Sequence, residues 1–457
     1  MKTIFVTIFQ GVEAKNILRT NVYRELIKRG DVRLVFFVRT PERRAYYERE
    51  FTHPRVAFEV AAYRPGNLCD RLLSKFTFQL LRTKTTDLRR RMELEVRQNR
   101  AAYVFGLSLN RMFARPLVRK FLRRLDARLS QNDSFRDLFE RYRPSAVFLA
   151  HLFDDVEIAL LREAKRRRVP TIGFINSWDK LTARSAIRLL PDHLLVYNDI
   201  VKHEAMEHAD MPAECIRVVG IPQYDLYVGY RPVPREEFMR RIGIDPTKRF
   251  FLYAPMGEAF SNSDWDVIDL LHRWIGEGAL APDADFLVRF QPNDSVNEAE
   301  RSKRPWLHFD RPGTRFSRTR GVDWDMSEIE VRHLADTLSH ASLLVCYASS
   351  LSVDAAAFDL PVINIDFELS PVELLAKSPT QFYQMTHYGN AIRTGGIRRV
   401  SSPDELQHWI CTYLERPDAD HEGRVRLVRE QCGPFDGRAG ERIAEAMISI
   451  GQSNETT

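Results

Sequence analysis

Hydrophobic positions in this chain come in short runs separated by stretches of helix length. Thr3–Phe9 is β-branched and aromatic, the pattern of a buried strand. After the loop Gln10–Ala14 a helix is expected from about Asn16 to Arg29. Ile17, Val22, Leu26 and Ile27 form its apolar side, and Gly30 stops it. Strands at Val32–Val38 and Arg55–Ala61 follow. From Leu68 to Arg143 the pattern turns helical, and the segment reads as an insertion. Alternation resumes with strands at Ala146–Leu152, Pro170–Ile175, His193–Tyr197 and Ile216–Val219, and helices at Val156–Arg168 and near Lys202–His208.

Gly220–Pro234 holds three prolines and two glycines without periodicity, and reads as a linker. A second series of strands covers Phe250–Ala254, Phe286–Phe290, Leu343–Cys346 and Val362–Ile365. Its helices are expected at Asp264–Gly276, Ser327–His340, Asp404–Glu415 and Gly437–Ile450. Ser302–Met326 reads as loop with one short strand, and Gly451–Thr457 as a frayed tail. The fold class is therefore α/β, with Rossmann-like domains at 1–225 (insertion about 68–143) and 226–450. They are expected to face each other across a cleft, where the carboxyl edges of such sheets bind ligands. GxGxxG is absent from the first βαβ unit, so a dehydrogenase-type dinucleotide site is not expected.

Charge changes the picture at one place. The 457 residues carry a net +6, but Arg82–Arg128 holds 14 Lys/Arg against 4 Asp/Glu, so the rest of the chain is net negative. Leu117, Phe121, Leu125 and Leu129 recur every four residues there, with Arg119, Lys120, Arg123, Arg124 and Arg128 filling the turns. Two readings fit: a solvated helix lying on the domain, or a surface for anionic lipid head groups, met by Arg119, Arg123 and Arg124. No nucleic-acid module surrounds the segment, so nucleic acid is not an expected partner. The five scattered cysteines show neither disulfide nor zinc spacing. The amino terminus reads as a first strand, not a signal peptide, and no apolar run reaches about 18 residues. Cytoplasmic localisation is expected, with peripheral attachment at the inner membrane face if the basic segment meets lipid.

The most informative stretch is Leu343–Asp366, which reads strand, tight turn, short helix, strand. Tyr347, Ser349, Ser350 and Ser352 fill the turn and Asp354 opens the helix. Serines there either cap the helix or offer hydroxyls to a phosphate.

These motifs resemble the GT-B glycosyltransferase superfamily, and within it bacterial enzymes of surface polysaccharide and cell-wall polymer synthesis. Val218–Asp225 is similar to their V-x-G-x-P-x-x-D segment. Tyr347–Asp354 with Leu360-Pro361 is similar to their Ser-Ser nucleotide element. Leu287–Pro292 resembles an (L/V)-R-x-H-P strand end, with Gln291 where relatives often carry His. Asn176–Thr182 resembles an S-W-D-N-L-T segment of polysaccharide-locus proteins. The resemblance implies transfer of a sugar from a nucleotide-activated donor to a glycan or lipid-linked acceptor of a surface or capsular polysaccharide. CDP-glycerol-type glycerophosphotransfer and UDP-sugar 2-epimerisation are enzymatic alternatives on the same fold. A non-catalytic nucleotide-sugar-binding or scaffold protein is another.

Such transfer needs donors for the departing diphosphate and a base for the acceptor hydroxyl. For the first, the candidates are Ser349, Ser350, Ser352, Tyr347, Arg289 at a strand end, Gln291, and Gly257 in a turn where backbone approaches phosphate closely. Asp354 would accept from ribose hydroxyls. Plain alternatives are a sheet-edge salt bridge for Arg289, an ordinary loop glycine and a helix-dipole role for Asp354. For the base, Glu13, His151 and Asp179 compete, each at a carboxyl edge of the first sheet. No cofactor is expected beyond the donor substrate, and no metal. Asp323-Trp324-Asp325 spells DxD but reads as accidental.

Overall fold

The computed structural model describes residues 1–292, 294–316 and 324–451. It divides into two units: residues 1–94, 99–225 and 433–451 form unit 1, and residues 95–98 and 226–432 form unit 2.

Unit 1 is built on seven parallel strands: β1 (Lys2–Thr7), β2 (Val32–Val38), β3 (Val56–Val60), β4 (Ala146–Leu149), β5 (Thr171–Phe174), β6 (His193–Val196) and β7 (Ile216–Val218). Their order is β3-β2-β1-β4-β5-β6-β7. β1 is apolar on both faces because helices cover both. On one side Phe5 meets Phe37 and Phe139 edge to face, at ring separations of 4.9 and 5.2 Å.

Unit 2 holds β8 (Arg249–Ala254), β9 (Ala284–Arg289), β10 (Phe309–Asp310), β11 (Thr314–Arg315), β12 (Trp324–Asp325), β13 (Leu344–Cys346), β14 (Val362–Ile365) and β15 (Arg398–Val400). Six of these form a parallel sheet in the order β10-β9-β8-β13-β14-β15, and β11 pairs antiparallel with β12. The expected single short strand in Ser302–Met326 is thus three.

Several boundaries differ from the sequence reading. The helix expected over Asn16–Arg29 is two, Gly11–Ile17 and Asn21–Lys28. Thr20 breaks it: its hydroxyl donates to the Asn16 carbonyl at 2.7 Å and accepts from the Val22 amide at 3.3 Å, starting a new helix. A Gln10/Glu13 capping box moves the first start back into the presumed loop.

The C-terminal helix Ala439–Ile450, expected in the second domain, packs in unit 1 against Asn21–Lys28. Gly440 permits this, because a Cβ there would lie 2.8 Å from Asn21 Cβ and from the Val22 nitrogen. Asp225 holds the start of that helix, accepting from the Ala439 and Gly440 amides at 2.9 and 2.7 Å. The Gly220–Pro234 segment is not all irregular, since Pro222–Leu226 is a 3₁₀ turn. The tail beyond Gly451 and Asp323 lie outside the described residues.

The insertion is five helices: Leu68–Phe76, Lys84–Arg97, Arg100–Phe113, Pro116–Leu129 and Arg136–Tyr142. Two of them turn carboxylates inward onto the same arginines. Asp126 accepts from Arg162 at 2.9 Å and from Arg188 at 2.6 Å, and Asp70 accepts from Arg188 at 2.6 Å. All four side chains are buried. Arg119 and Arg123 also face inward, both bonded to Asp210, so they are not the lipid-facing charges the sequence suggested.

Candidate functional site

In each sheet the chain reverses its direction of strand addition once, between β1 and β4 in unit 1 and between β8 and β13 in unit 2. The loops leaving those strands at their carboxyl ends flank the crevice where open α/β sheets bind ligands.

In unit 2 the turn after β8 is Pro255–Gly257. Asp264, opening the helix Asp264–Gly276, braces it by accepting from the Met256 and Gly257 amides at 3.1 and 2.7 Å. Burial, opposed by those amides, raises the Asp264 carboxyl to about 6. Gly257 has φ +90°, and a Cβ there would strike Asp294. Its glycine is thus required, but its amide is committed to Asp264 and not free for a phosphate.

The turn after β13 carries the serines. Ser350 is exposed and N-caps the helix Leu351–Ala357 without a side-chain cap bond. Ser349 is partly exposed, accepting from the Leu351 amide at 3.2 Å. Ser352 is fully buried, its hydroxyl 3.1 Å from Tyr388 Oη and 3.3 Å from Asn364 Nδ2. It ties the turn to β14. Tyr347 is likewise core. Asp354 is buried and accepts from Tyr227 Oη at 2.8 Å.

Arg289 ends β9, buried, with its guanidinium 3.0 Å from Asp310, which also bonds His333 Nε2 at 2.9 Å. Burial acts to raise the Asp310 carboxyl, but His333 and Arg289 outweigh it and hold it below the usual range. The sheet-edge salt bridge is therefore what forms. The Gln291 amide donates to the Met256 and Pro255 carbonyls at 3.0 and 3.3 Å and stitches the β9 end to the β8 turn.

Unit 1 gathers a different chemistry. Glu13 is fully buried. Its Oε2 accepts from the Phe9 and Gln10 amides at 2.5 and 3.1 Å, while Oε1 has no partner. Glu157, also fully buried, accepts from the Leu152 amide at 2.5 Å and from the Thr7 hydroxyl. Burial lifts Glu13 to about 7. Burial, then the Glu13 charge, lifts Glu157 to about 8. Lys180 lies buried within electrostatic reach of both, and burial lowers its ammonium to about 8.

His151, on the β4 loop, is buried with Nδ1 unpartnered. Burial and the charges of Lys180, Arg184 and Arg39 hold it neutral. Asp179 is half-buried and opens the turn of helix Lys180–Ala183, accepting from Ser177 Oγ at 2.5 Å. Sequence reasoning missed Glu157 and Lys180. Glu157 was legible only as a glutamate on the buried side of an amphipathic helix, and Lys180 only as the residue following Asp179. Among the described residues, no three His, Cys, Asp or Glu side chains are grouped to hold a metal ion.

No family model and no curated protein matches the sequence. Solved structures do. UDP-GlcNAc 2-epimerase from Neisseria meningitidis bound to UDP-GlcNAc superposes with a TM-score of 0.57, over 98% of this chain and 100% of that one, at 11% identity. The S. aureus MnaA–UDP structure gives 0.52 over 98% of each chain, at 11% identity. The wall teichoic acid polymerase TagF in a CDPG soak gives 0.51, covering 100% of this chain and 90% of that one, at 11% identity. The fold is GT-B. The two switch points differ in chemistry, with hydroxyls and a braced turn in unit 2 and buried, proton-holding carboxyls in unit 1.

Proposed function

We propose that this chain is a GT-B glycosyltransferase that moves a sugar from a nucleotide-activated donor to a surface or capsular polysaccharide acceptor. Unit 2 takes the nucleotide at the Ser349–Ser350 turn, and unit 1 supplies the base. The observation that carries the reading is Glu13, a carboxyl at a switch point with one oxygen unpartnered and an affinity for protons poised near neutrality. The acceptor hydroxyl gives its proton to that carboxylate and its oxygen bonds the sugar carbon. The bond from that carbon to the diphosphate breaks, and the nucleoside diphosphate leaves.

Superposition on structures solved with UDP, UDP-GlcNAc and CDPG supports a nucleotide ligand. A second reading, epimerisation at sugar carbon 2, draws on the same observation. Two proton-holding carboxyls, Glu13 and Glu157, suit removal and return of a carbon-bound proton.

A thermal-shift screen against UDP, CDP, GDP, ADP and CMP tests the nucleotide claim. A ligand at 100 times its Kd adds about 2.7 kcal/mol to the native state. One nucleotide should win, and Ser350→Trp, at an exposed position, should abolish the response without lowering the unliganded melting temperature. Silence from all five would sink the reading. Incubating the matching nucleotide sugar in D₂O then separates the reactions. Deuterium entering the sugar without an acceptor marks epimerisation, and acceptor-dependent release of nucleoside diphosphate marks transfer.

A further inference from the structure

We infer that the outer face of the insertion is a docking surface for an anionic lipid bilayer, formed by the neighbouring helices Leu68–Phe76 and Pro116–Leu129. The helix Pro116–Leu129 inverts the usual pattern. Its inner side carries Arg119, Arg123 and Asp126, all in ion pairs, while Leu117, Phe121 and Leu129 point to solvent. Leu117 is 81% exposed and Phe121 62%. Lys120, Arg124 and Arg128 complete the same stripe, and no exposed residue of this helix is acidic.

Leu68–Phe76 repeats the arrangement. Leu68 and Leu72 are 62% and 58% exposed, Arg71 and Lys75 lie on the same stripe, and none of its exposed residues is acidic. The two helices touch, and Asp70 and Asp126 bind the same arginine, so their outer stripes are presented by one locked scaffold.

Large apolar side chains exposed in a cluster mark an interaction site. Interleaving with bases chooses the partner. Leucine and phenylalanine at bilayer depth, with lysine and arginine reaching back to negative head groups, is the chemistry of a helix lying in a membrane interface. Among the described residues no helix is long and apolar enough to cross a membrane, so attachment by this face is peripheral. The inference does not depend on which sugar or nucleotide the protein uses.

The test is co-sedimentation of the full chain with vesicles of phosphatidylcholine alone and of phosphatidylcholine mixed with phosphatidylglycerol, at low and high salt. Binding is expected to the mixed vesicles only and to weaken with salt. Leu117→Ser with Phe121→Ser should lower the partition coefficient about tenfold per side chain withdrawn. Lys120→Glu with Arg124→Glu should lower it by about fivefold or more per charge. Both pairs should keep the wild-type melting temperature, since all four positions are exposed. Three results would overturn the inference. One is wild-type protein that ignores phosphatidylglycerol vesicles. Another is variant pairs that sediment as wild type does. The third is wild-type self-association abolished by Leu117→Ser with Phe121→Ser, which would make the occupant a second copy.

Discussion

Asp126→Asn isolates what holds the insertion to its sheet. Asp126 is 2% exposed and accepts from Arg162 NH2 at 2.9 Å and from Arg188 Nε and NH2 at 2.6 and 2.9 Å. With Asp70 it balances two buried guanidinium groups, and the half-exposed Asp155 reaches Arg188 from the rim at 3.5 Å. Asparagine keeps the shape but removes the charge and turns an amide N–H toward arginine donors. Asp70 is then the buried carboxylate left facing the two cations, Arg162 at 3.6 Å among them, with Asp155 only at the exposed rim. Breaking a buried pair from one side costs about 3–5 kcal/mol, because the orphaned charge stays desolvated. For a unit of this size that lowers its melting temperature by roughly 10 °C. Arg128→Gln, two residues on and on the exposed side of the same helix, should stay within about 0.5 kcal/mol.

Urea unfolding followed by circular dichroism measures the difference. Tryptophan fluorescence gives an internal control, since five of the six tryptophans lie in unit 2 and only Trp178 in unit 1. The dichroism transition should therefore move while the fluorescence transition hardly does. If Asp126→Asn costs no more than Arg128→Gln, the cluster does not anchor the insertion and the argument for a locked outer face fails with it.

The unit 1 carboxyls predict a pH signature. Glu157 holds its proton to about 8 in the fold against 4.5 as a free side chain, so the native state binds a proton that the unfolded chain releases. Its contribution is full below the unfolded value and is lost as pH rises through the folded one, so stability should fall between about pH 5 and pH 8. Glu157→Gln should flatten that decline, and an unchanged slope of melting temperature against pH would show that Glu157 is ionised in the fold. In unit 2, Asp264→Asn replaces one of two accepting oxygens with a donor facing the Met256 and Gly257 amides. A loss of about 1–3 kcal/mol is expected, with a smaller nucleotide-induced thermal shift. If stability drops but the nucleotide response is intact, the turn after β8 is structural only.

The alternating α/β architecture was legible because buried parallel strands are written as apolar runs, near-continuous in β1, in β8 from Phe250 on and in β14, and unbroken in β13. What misled was chemistry between elements. Thr20 splits a helix by a side-chain bond that periodicity does not register, and Gly440 sends the last helix back to unit 1 through a steric allowance that shows only when its neighbour is known. The site was legible in place more than in role. Both switch points fall where the sequence put Glu13, His151, Gly257 and the Tyr347–Asp354 turn. Yet Ser352, Asp354 and Arg289 turn out to serve Tyr388, Tyr227 and Asp310. A residue's type announces what it can bond, whereas its partner is set by residues far away in the chain.

The same distinction separates the two halves of the candidate site. In unit 2 the obvious charges are matched: Arg289 by Asp310, and Asp264 by two backbone amides. The turn after β13 carries the partly exposed Ser349 and the exposed Ser350, so the phosphate contact we propose there is one of hydrogen bonding. In unit 1 the charges are mismatched. Glu13 keeps an oxygen unpartnered in the interior, and Glu157 and Lys180 lie close by with shifted proton affinities. Burying Glu13 and Glu157 together costs stability, and it is relieved by keeping a proton on the pair to near-neutral pH. Such mismatch collects where a proton must move. This is why we propose a proton-transfer role for Glu13 in the first unit and a holding role for the serine turn in the second.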